Sequence, residues 1–390
     1  MDPKTFCIIP WAHTRFSTQG TIHPCCKLDI SWPGRKNIND VDDFDQYWNS
    51  EELRQMRLDH LSGKKIDACR VCWTDEQAGK GSLRTEYNSQ FAKHIDLKKI
   101  KNSTTGHSSD LPVLLDLNLS NICNYKCVMC APALSSKIAQ EQQQHKEQFQ
   151  SLGFFKISNV SSDHQWPEGS FFVDFMKKVA PGLRSVELKG GEPLLIKNVK
   201  KTIKNIQNKS DCVIALTTNG SVDFEDDFLE LLSEFKKLWI FVSVDGIGSA
   251  GEWVRQGSDW PQVESVLKKI STLQNCTFRL STVLQVFSPA TFPDIFYYSK
   301  QHNYDIEILQ CVIHDYLGIN AIPPAQAKSF HQWVLDQQKI YPNDSVLKSI
   351  DGYFKTYCFD PDLFDKCQKY VATLDQIRNN QCPDIQALFQ

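Results

Sequence analysis

Cys123, Cys127 and Cys130 stand close together in the middle of the chain, separated by three and then two residues. Thiolates are the usual ligands of iron–sulfur clusters, and gaps this short bring three of them onto one loop. Three protein ligands on a four-iron cluster leave one iron open to a chelator from outside the protein. Zinc also takes thiolates, so the triplet alone leaves both metals open. A second group lies near the N-terminus, where Cys7, Cys25 and Cys26 are followed much later by Cys69 and Cys72. Two distant cysteines and a close pair can supply four ligands to one centre, an iron–sulfur cluster or a structural zinc.

These side chains need a scaffold. Residues 111–320 alternate short apolar runs with helical patterns, which predicts repeated β–α units. Six strands are expected, at Val113–Leu119, Ser185–Lys189, Val213–Thr217, Leu238–Val244, Phe278–Val286 and Ile306–Ile313. A series of this kind predicts an α/β fold built on a parallel sheet or barrel. Several of the strands alternate: Leu115, Leu117 and Leu119 with Asp116 and Asn118; Val186 and Leu188 with Glu187 and Lys189; Val242 and Val244 with Ser243 and Asp245. Side chains alternate faces along a strand, so one face packs on helices and the other is polar. Burying such groups unpartnered costs a few kcal/mol each, so the interior is expected to hold a polar ligand and water. Residues 101–110 are small and polar and are expected to form a linker. The glutamine-rich stretch near 140–150 is expected to end a solvated helix. In the last zone, Phe364, Cys367, Val371, Leu374 and Ile377 recur at three- and four-residue steps, one apolar helix face.

With the triplet placed just after the first of these strands, the chain resembles the radical S-adenosylmethionine superfamily. Four further stretches match in order. Gly190-Gly191-Glu192-Pro193 resembles the family's GGEP element, in which glycines allow close backbone approach. The resemblance implies that Glu192 accepts hydrogen bonds from the cofactor's ammonium. Thr218 and Asn219 end the third strand, and Ser243 and Asp245 end the fourth, where the family contacts ribose and methionine. Arg255 is expected to pair with the cofactor carboxylate, and Val283 to pack on adenine. Met129 stands where the family often has an aromatic side chain. The resemblance further implies a partial (βα)6 parallel barrel over 111–320. Its 4Fe–4S cluster would be held by Cys123, Cys127 and Cys130, with S-adenosylmethionine chelated to the open iron.

Residues 1–100 resemble the opening of a SPASM domain, which binds auxiliary iron–sulfur clusters. Beyond Cys72 the cysteines of a further cluster are missing, and Ala78 and Gly79 stand there. The module therefore resembles the shorter twitch domain, implying one auxiliary cluster on Cys7, Cys25, Cys69 and Cys72, with Cys26 spare. Residues 321–390 are expected to be a helical C-terminal segment. Among the other cysteines, Cys212, Cys276, Cys358, Cys367 and Cys382 are expected to be small buried residues. Cys311, near His314, is the candidate to return a hydrogen atom to a substrate radical. Lys189 and Glu187 are candidates for the substrate pocket, or for a mutual ion pair.

Composition bounds the function. The chain has 390 residues, enough for two or three domains at roughly 100–200 residues each. A net charge of −3 implies no global pull on nucleic acid. No apolar run approaches a membrane span, and the opening residues do not form a signal peptide. Fourteen cysteines in a chain this long point to metal binding and a reducing cytoplasm. The expected function is reductive cleavage of S-adenosylmethionine and hydrogen abstraction from a peptide or protein side chain. A reducing partner such as flavodoxin or ferredoxin would supply the electron. Dehydrogenation of a small metabolite is the alternative within the family, and a non-catalytic zinc- or cluster-stabilised binding protein the alternative outside it.

Overall fold

The computed structural model describes residues 2, 4–77, 81–157, 165–311 and 313–389, so Ala78 and Gly79 lie outside the described residues. Eleven strands occur among them: β1 His13–Phe16, β2 Thr21–His23, β3 Lys36–Asn37, β4 Leu114–Leu117, β5 Lys126–Cys127, β6 Ser185–Leu188, β7 Val213–Thr218, β8 Lys237–Ser243, β9 Arg255–Gln256, β10 Cys276–Leu284 and β11 Asp305–Gln310. All six expected strands are present, with ends shifted by up to three residues. Helices follow them at Lys197–Asn205, Asp226–Ser233, Gly248–Val254, Trp260–Ser271, Ser288–His302 and Pro324–Ile340. The α/β class, the parallel strand–helix series and the helical C-terminal segment are as expected.

The chain divides into two compact units. The first comprises Met1–Asn121, Ser161–Leu216 and Glu225–Leu238; the second comprises Ile122–Val160, Thr217–Phe224 and Trp239–Gln390. In the first, the strand order is β3-β2-β1-β4-β6-β7, with β1, β4, β6 and β7 parallel and β2 and β3 added antiparallel. In the second, β8 neighbours β10, which pairs in parallel with β11, and β5 pairs antiparallel with β9.

The N-terminal zone is more regular than its sequence periodicity suggests. Its strand β1 pairs with β4, His13 opposite Leu114 and Arg15 opposite Asp116. The helix Glu51–Ser62 is capped by Ser50, which accepts from Leu53 N–H, and ends on Gly63 at φ 83°. Its Arg57 is buried: Nε donates to Pro10 O at 2.9 Å, Nη1 to Gly106 O at 3.1 Å, and the guanidinium lies 4.6 Å from the Trp48 ring centre. The short polar stretch around Gly106 is therefore packed rather than a free linker. Trp48 Nε1 donates to Asp110 O, Ser108 N–H donates to Asn49 Oδ1, and a Cβ on Gly106 would meet Arg54 O at 2.2 Å. Fixation comes from aromatic and guanidinium contacts, which leave no three- or four-residue apolar rhythm to read.

On the polar strand face of the first unit, the charged side chains lie against one another. Asp116 Oδ2 is 3.5 Å from both Arg15 Nε and Lys189 Nζ, and Lys189 lies 2.8 Å from Glu187. Arg15, Asp116, Glu187 and Lys189 form a charge-balanced set at the ends of β1, β4 and β6.

In the second unit, the helix Pro361–Arg378 buries Cys367, Val371 and Leu374, with Phe364 and Ile377 half-buried. Asp360 caps its start through Asp362 and Leu363 N–H. The glutamine-rich stretch forms helices Ser136–Gln144 and Lys146–Ser151, but Glu141, Gln142 and Phe149 are buried. The expectation of a wholly solvated helix end is corrected by Glu141, which is clamped by Arg378 at 3.0 and 2.7 Å and by Lys126 at 2.9 Å.

Candidate functional site

The cysteine triplet lies in the second unit, and hydrogen bonds from four directions set its loop. The start of helix Ser136–Gln144 clamps one end: Ser136 Oγ accepts from Cys123 N–H at 3.2 Å, and Ser135 Oγ donates to Tyr125 O at 2.8 Å. Cys127 sits on β5 directly opposite Arg255 on β9, and Val128 N–H donates to Val254 O. Cys130 N–H closes a tight turn onto Cys127 O at 3.1 Å. Tyr370 hydroxyl donates to Val128 O at 3.2 Å, tying the C-terminal helix to the same loop.

His314 completes the frame. Its Nε2 donates to Cys130 O at 3.2 Å, because a carbonyl can only accept, which leaves Nδ1 to accept from Tyr316 hydroxyl at 3.1 Å. Burial holds this imidazole below its ordinary pKa, consistent with the neutral tautomer. Phe155 stacks on Tyr370 at 5.7 Å between ring centres and lies 6.1 Å from His314, forming an aromatic wall. Cys311 donates its S–H to His314 O at 3.6 Å, and burial pushes that thiol up to about 11, so it carries its proton at neutral pH.

The strand-end residues surround the same loop. Asn219 Nδ2 donates to Asn124 Oδ1 at 3.0 Å and lies 3.8 Å from Cys123 Sγ. Asn219, Ser243 and Arg255 line one small cavity with Tyr125, Gly246 and Gly251. A Cβ on Gly251 would stand 2.2 Å from Gly246 O, so both glycines serve a close approach of helix Gly248–Val254 to the strand end. Asp245 and Val283 are joined: Val283 N–H donates to Asp245 Oδ1 at 2.6 Å. Thr218 is buried, and its Oγ1 accepts from Gly220 N–H at 3.2 Å. Arg255 Nη2 lies 2.6 Å from Asp245 Oδ2, and its Nη1 donates to Cys127 Sγ at 3.6 Å. Arg255 is thus held between a carboxylate and a cysteine, partners that no local spacing reveals.

In the first unit, Gly190 and Gly191 both adopt positive φ, 82° and 58°. A Cβ on Gly190 would lie 2.8 Å from Asn118, so the turn is pressed against β4's end. Glu192 is fully buried, and its Oε1 accepts from Leu194 N–H at 3.1 Å, capping the short helix that begins at Pro193. Cys7, Cys25, Cys69 and Cys72 line a single cavity together with His60 and Arg84. Cys26 is not among its lining residues. Burial raises the Cys7 and Cys72 thiols, and pushes Cys69 up to about 12. Among the described residues no group of three or more Cys, His, Asp or Glu is arranged to hold a single metal ion. The donor set and the shared cavity fit a cluster.

Residues 117–295 match the radical SAM superfamily. That stretch is a radical S-adenosylmethionine domain. Residues 7–73 also match the SPASM iron–sulfur cluster-binding domain, so the module expected at the N-terminus is present there. The cofactors are those of these two families: a 4Fe–4S cluster, S-adenosylmethionine and a second iron–sulfur cluster. The chain is similar to GTP 3',8-cyclase of Rhizobium etli (strain CIAT 652), 28% identical over 138 residues, 34% of this chain and 38% of that protein. It is similar to the sporulation killing factor maturation protein SkfB of Bacillus subtilis (strain 168), 24% identical over 164 residues, 42% of this chain and 34% of that protein. Each match thus takes in little more than a third of the relative. Among solved structures, anSMEcpe with bound AdoMet and Cp18Cys peptide is 17% identical with a TM-score of 0.39, over 59% of this chain and 61% of that one. Streptococcus suis SuiB is 14% identical with a TM-score of 0.39, over 85% of this chain and 69% of that one. Among the described residues no helix is long and apolar enough to cross a membrane.

Proposed function

We propose that this chain is an enzyme that cleaves S-adenosylmethionine reductively and abstracts hydrogen from a peptide or protein side chain. The observation that carries the reading is the pairing of a fixed cysteine triplet with an N-terminal SPASM module in one chain. Cys123, Cys127 and Cys130 would hold the cluster, and the hydrogen bonds from Ser136, Tyr370 and His314 would keep their loop in place. Held there, a reduced cluster and S-adenosylmethionine would supply the radical chemistry for hydrogen abstraction from substrate. The protein's task is to orient the groups and exclude water. Glu192 would accept from the cofactor's ammonium. Within the second unit, Asn219 and Ser243 line the small cavity beside the triplet's loop. Asp245 and Val283 shape that region through their shared hydrogen bond. Cys7, Cys25, Cys69 and Cys72 would hold the second cluster.

Cys311 would finish the reaction. Its protonated thiol would give a hydrogen atom to the substrate radical, and the resulting thiyl would regain one electron from the reducing partner, a flavodoxin- or ferredoxin-type donor, and one proton from solvent. SkfB's role in maturing a killing factor favours a peptide substrate. The match to GTP 3',8-cyclase favours a nucleotide as the second reading. Anaerobically reconstituted, reduced protein should form 5′-deoxyadenosine. Mass spectrometry of a co-expressed peptide encoded nearby should show hydrogen loss, a cross-link or epimerisation. Deuterium transfer to deoxyadenosine from a small metabolite alone would make the peptide reading wrong.

A further inference from the structure

We infer that Arg255 is a redox-tuning residue: its guanidinium hydrogen-bonds the cluster ligand Cys127 and raises the cluster's reduction potential. The inference rests on the proposed cluster at the triplet. Four observations place the guanidinium. Cys127 and Arg255 are directly opposed in the β5–β9 ladder, so the backbone sets their approach. Arg255 Nη1 donates to Cys127 Sγ at 3.6 Å, ordinary for a sulfur acceptor. Asp245 Oδ2 holds Nη2 at 2.6 Å, and Asp245 is itself fixed by Val283 N–H, so the fork cannot swing away. The side chain is largely sequestered, with 13% exposure, where solvent screens little.

The chemistry follows from charge. Adding an electron to the cluster places negative charge on its sulfurs. A donor aimed at one of those sulfurs stabilises the reduced form more than the oxidised form, and hydrogen bonds to sulfur are one of the levers on cluster potential. Asp245 acts through Arg255 and is a positioning residue. This role differs from a clamp on the cofactor's carboxylate, which would need cofactor present to have any effect.

The test is a redox titration of the anaerobically reconstituted full chain without S-adenosylmethionine, followed by the electron paramagnetic resonance signal of the reduced cluster. Arg255→Gln should move the midpoint to more negative potential, and Arg255→Lys, which keeps charge but not the fork, should lie between. Wild-type protein labelled with nitrogen-15 arginine should show nitrogen coupling to the reduced cluster. That labelling measurement decides the matter even where Arg255→Gln fails to load iron. An unchanged midpoint in a loaded Arg255→Gln variant overturns the inference. So does an absent arginine coupling in the wild type. A variant with unchanged midpoint but weakened S-adenosylmethionine binding assigns Arg255 to the carboxylate instead. If wild-type protein forms no reducible cluster, the proposed function falls and this inference with it.

Discussion

At the scale of single residues, the triplet carries its meaning in spacing, and its consequences can be tested one atom at a time. Cys127→Ala should abolish 5′-deoxyadenosine formation by reduced, reconstituted protein, and equal turnover in that variant would remove the basis of the assignment. Glu192→Gln should weaken S-adenosylmethionine binding by about 1.5–3 kcal/mol, the worth of a charged hydrogen bond, measured by calorimetry. Cys311→Ala should leave deoxyadenosine formation intact while eliminating solvent deuterium from the returned position of the product. Retained deuterium would mean another donor. Cys123, Cys127, Cys130 and the Gly190–Pro193 turn were legible because each is a contiguous pattern. Arg255 against Cys127 and His314 against Cys130 were not, since 128 and 184 residues separate those partners and only folding brings them together. His314 had appeared simply as a neighbour of Cys311. Nothing in its local sequence names a carbonyl as its partner.

At the scale of elements, the strands were legible from alternation, as in β8, where Leu238, Ile240 and Val242 are buried between half-buried neighbours. Helix Pro361–Arg378 was legible from its apolar face, but what it holds in place was not. Its last residue, Arg378, reaches Glu141 on helix Ser136–Gln144, and Lys126 on β5 joins the same carboxylate. Both Glu141 and Arg378 are nearly sequestered, at 5% and 3% side-chain exposure. Burial raises the Glu141 carboxyl, but Arg378 and Lys126 outweigh it and hold the group below its ordinary range. A carboxylate depressed in the folded state stabilises the fold fully above its unfolded pKa. That contribution is lost as pH falls through the folded value. Glu141→Gln should therefore cost about 3–5 kcal/mol near neutral pH, because it strands a buried guanidinium. It should also flatten the acid limb of stability below about pH 4.5, near the ordinary carboxylate value. Denaturant unfolding at several pH values checks both. A loss under about 1 kcal/mol would mean the clamp behaves as a surface pair.

At the scale of the whole molecule, two metal sites are argued on separate stretches of chain, and they should be separable. The βα series is legible because its repeats are local, whereas the N-terminal zone shows little regular apolar periodicity in its sequence. Its order comes from long-range anchors: Arg57 on Pro10 and Gly106, Arg84 on Glu76 and Phe6 O, and β1 paired to β4 across a hundred residues of chain. This changes what loss of metal should do there. A zone held only by a metal would unfold without it, since metal-binding energy is then folding energy. Here helical residues such as Met56, His60 and Trp73 line the cavity of Cys7, Cys25, Cys69 and Cys72, so replacing all four with serine should loosen the cavity walls more than the zone as a whole. The triplet's ligands are not among them, and its cluster should survive. Iron in anaerobically reconstituted protein should then fall by about half if the two clusters are of equal size. The reduced-cluster signal of the triplet should persist, and limited proteolysis should open first around Cys69 and Cys72. Unchanged iron with loss of zinc would make the site a structural zinc knot. Unchanged iron and zinc together would mean that these four cysteines bind neither. Loss of both cluster signals would mean that the sites depend on each other, and that the N-terminal module contributes to the triplet's loading as well as to its own.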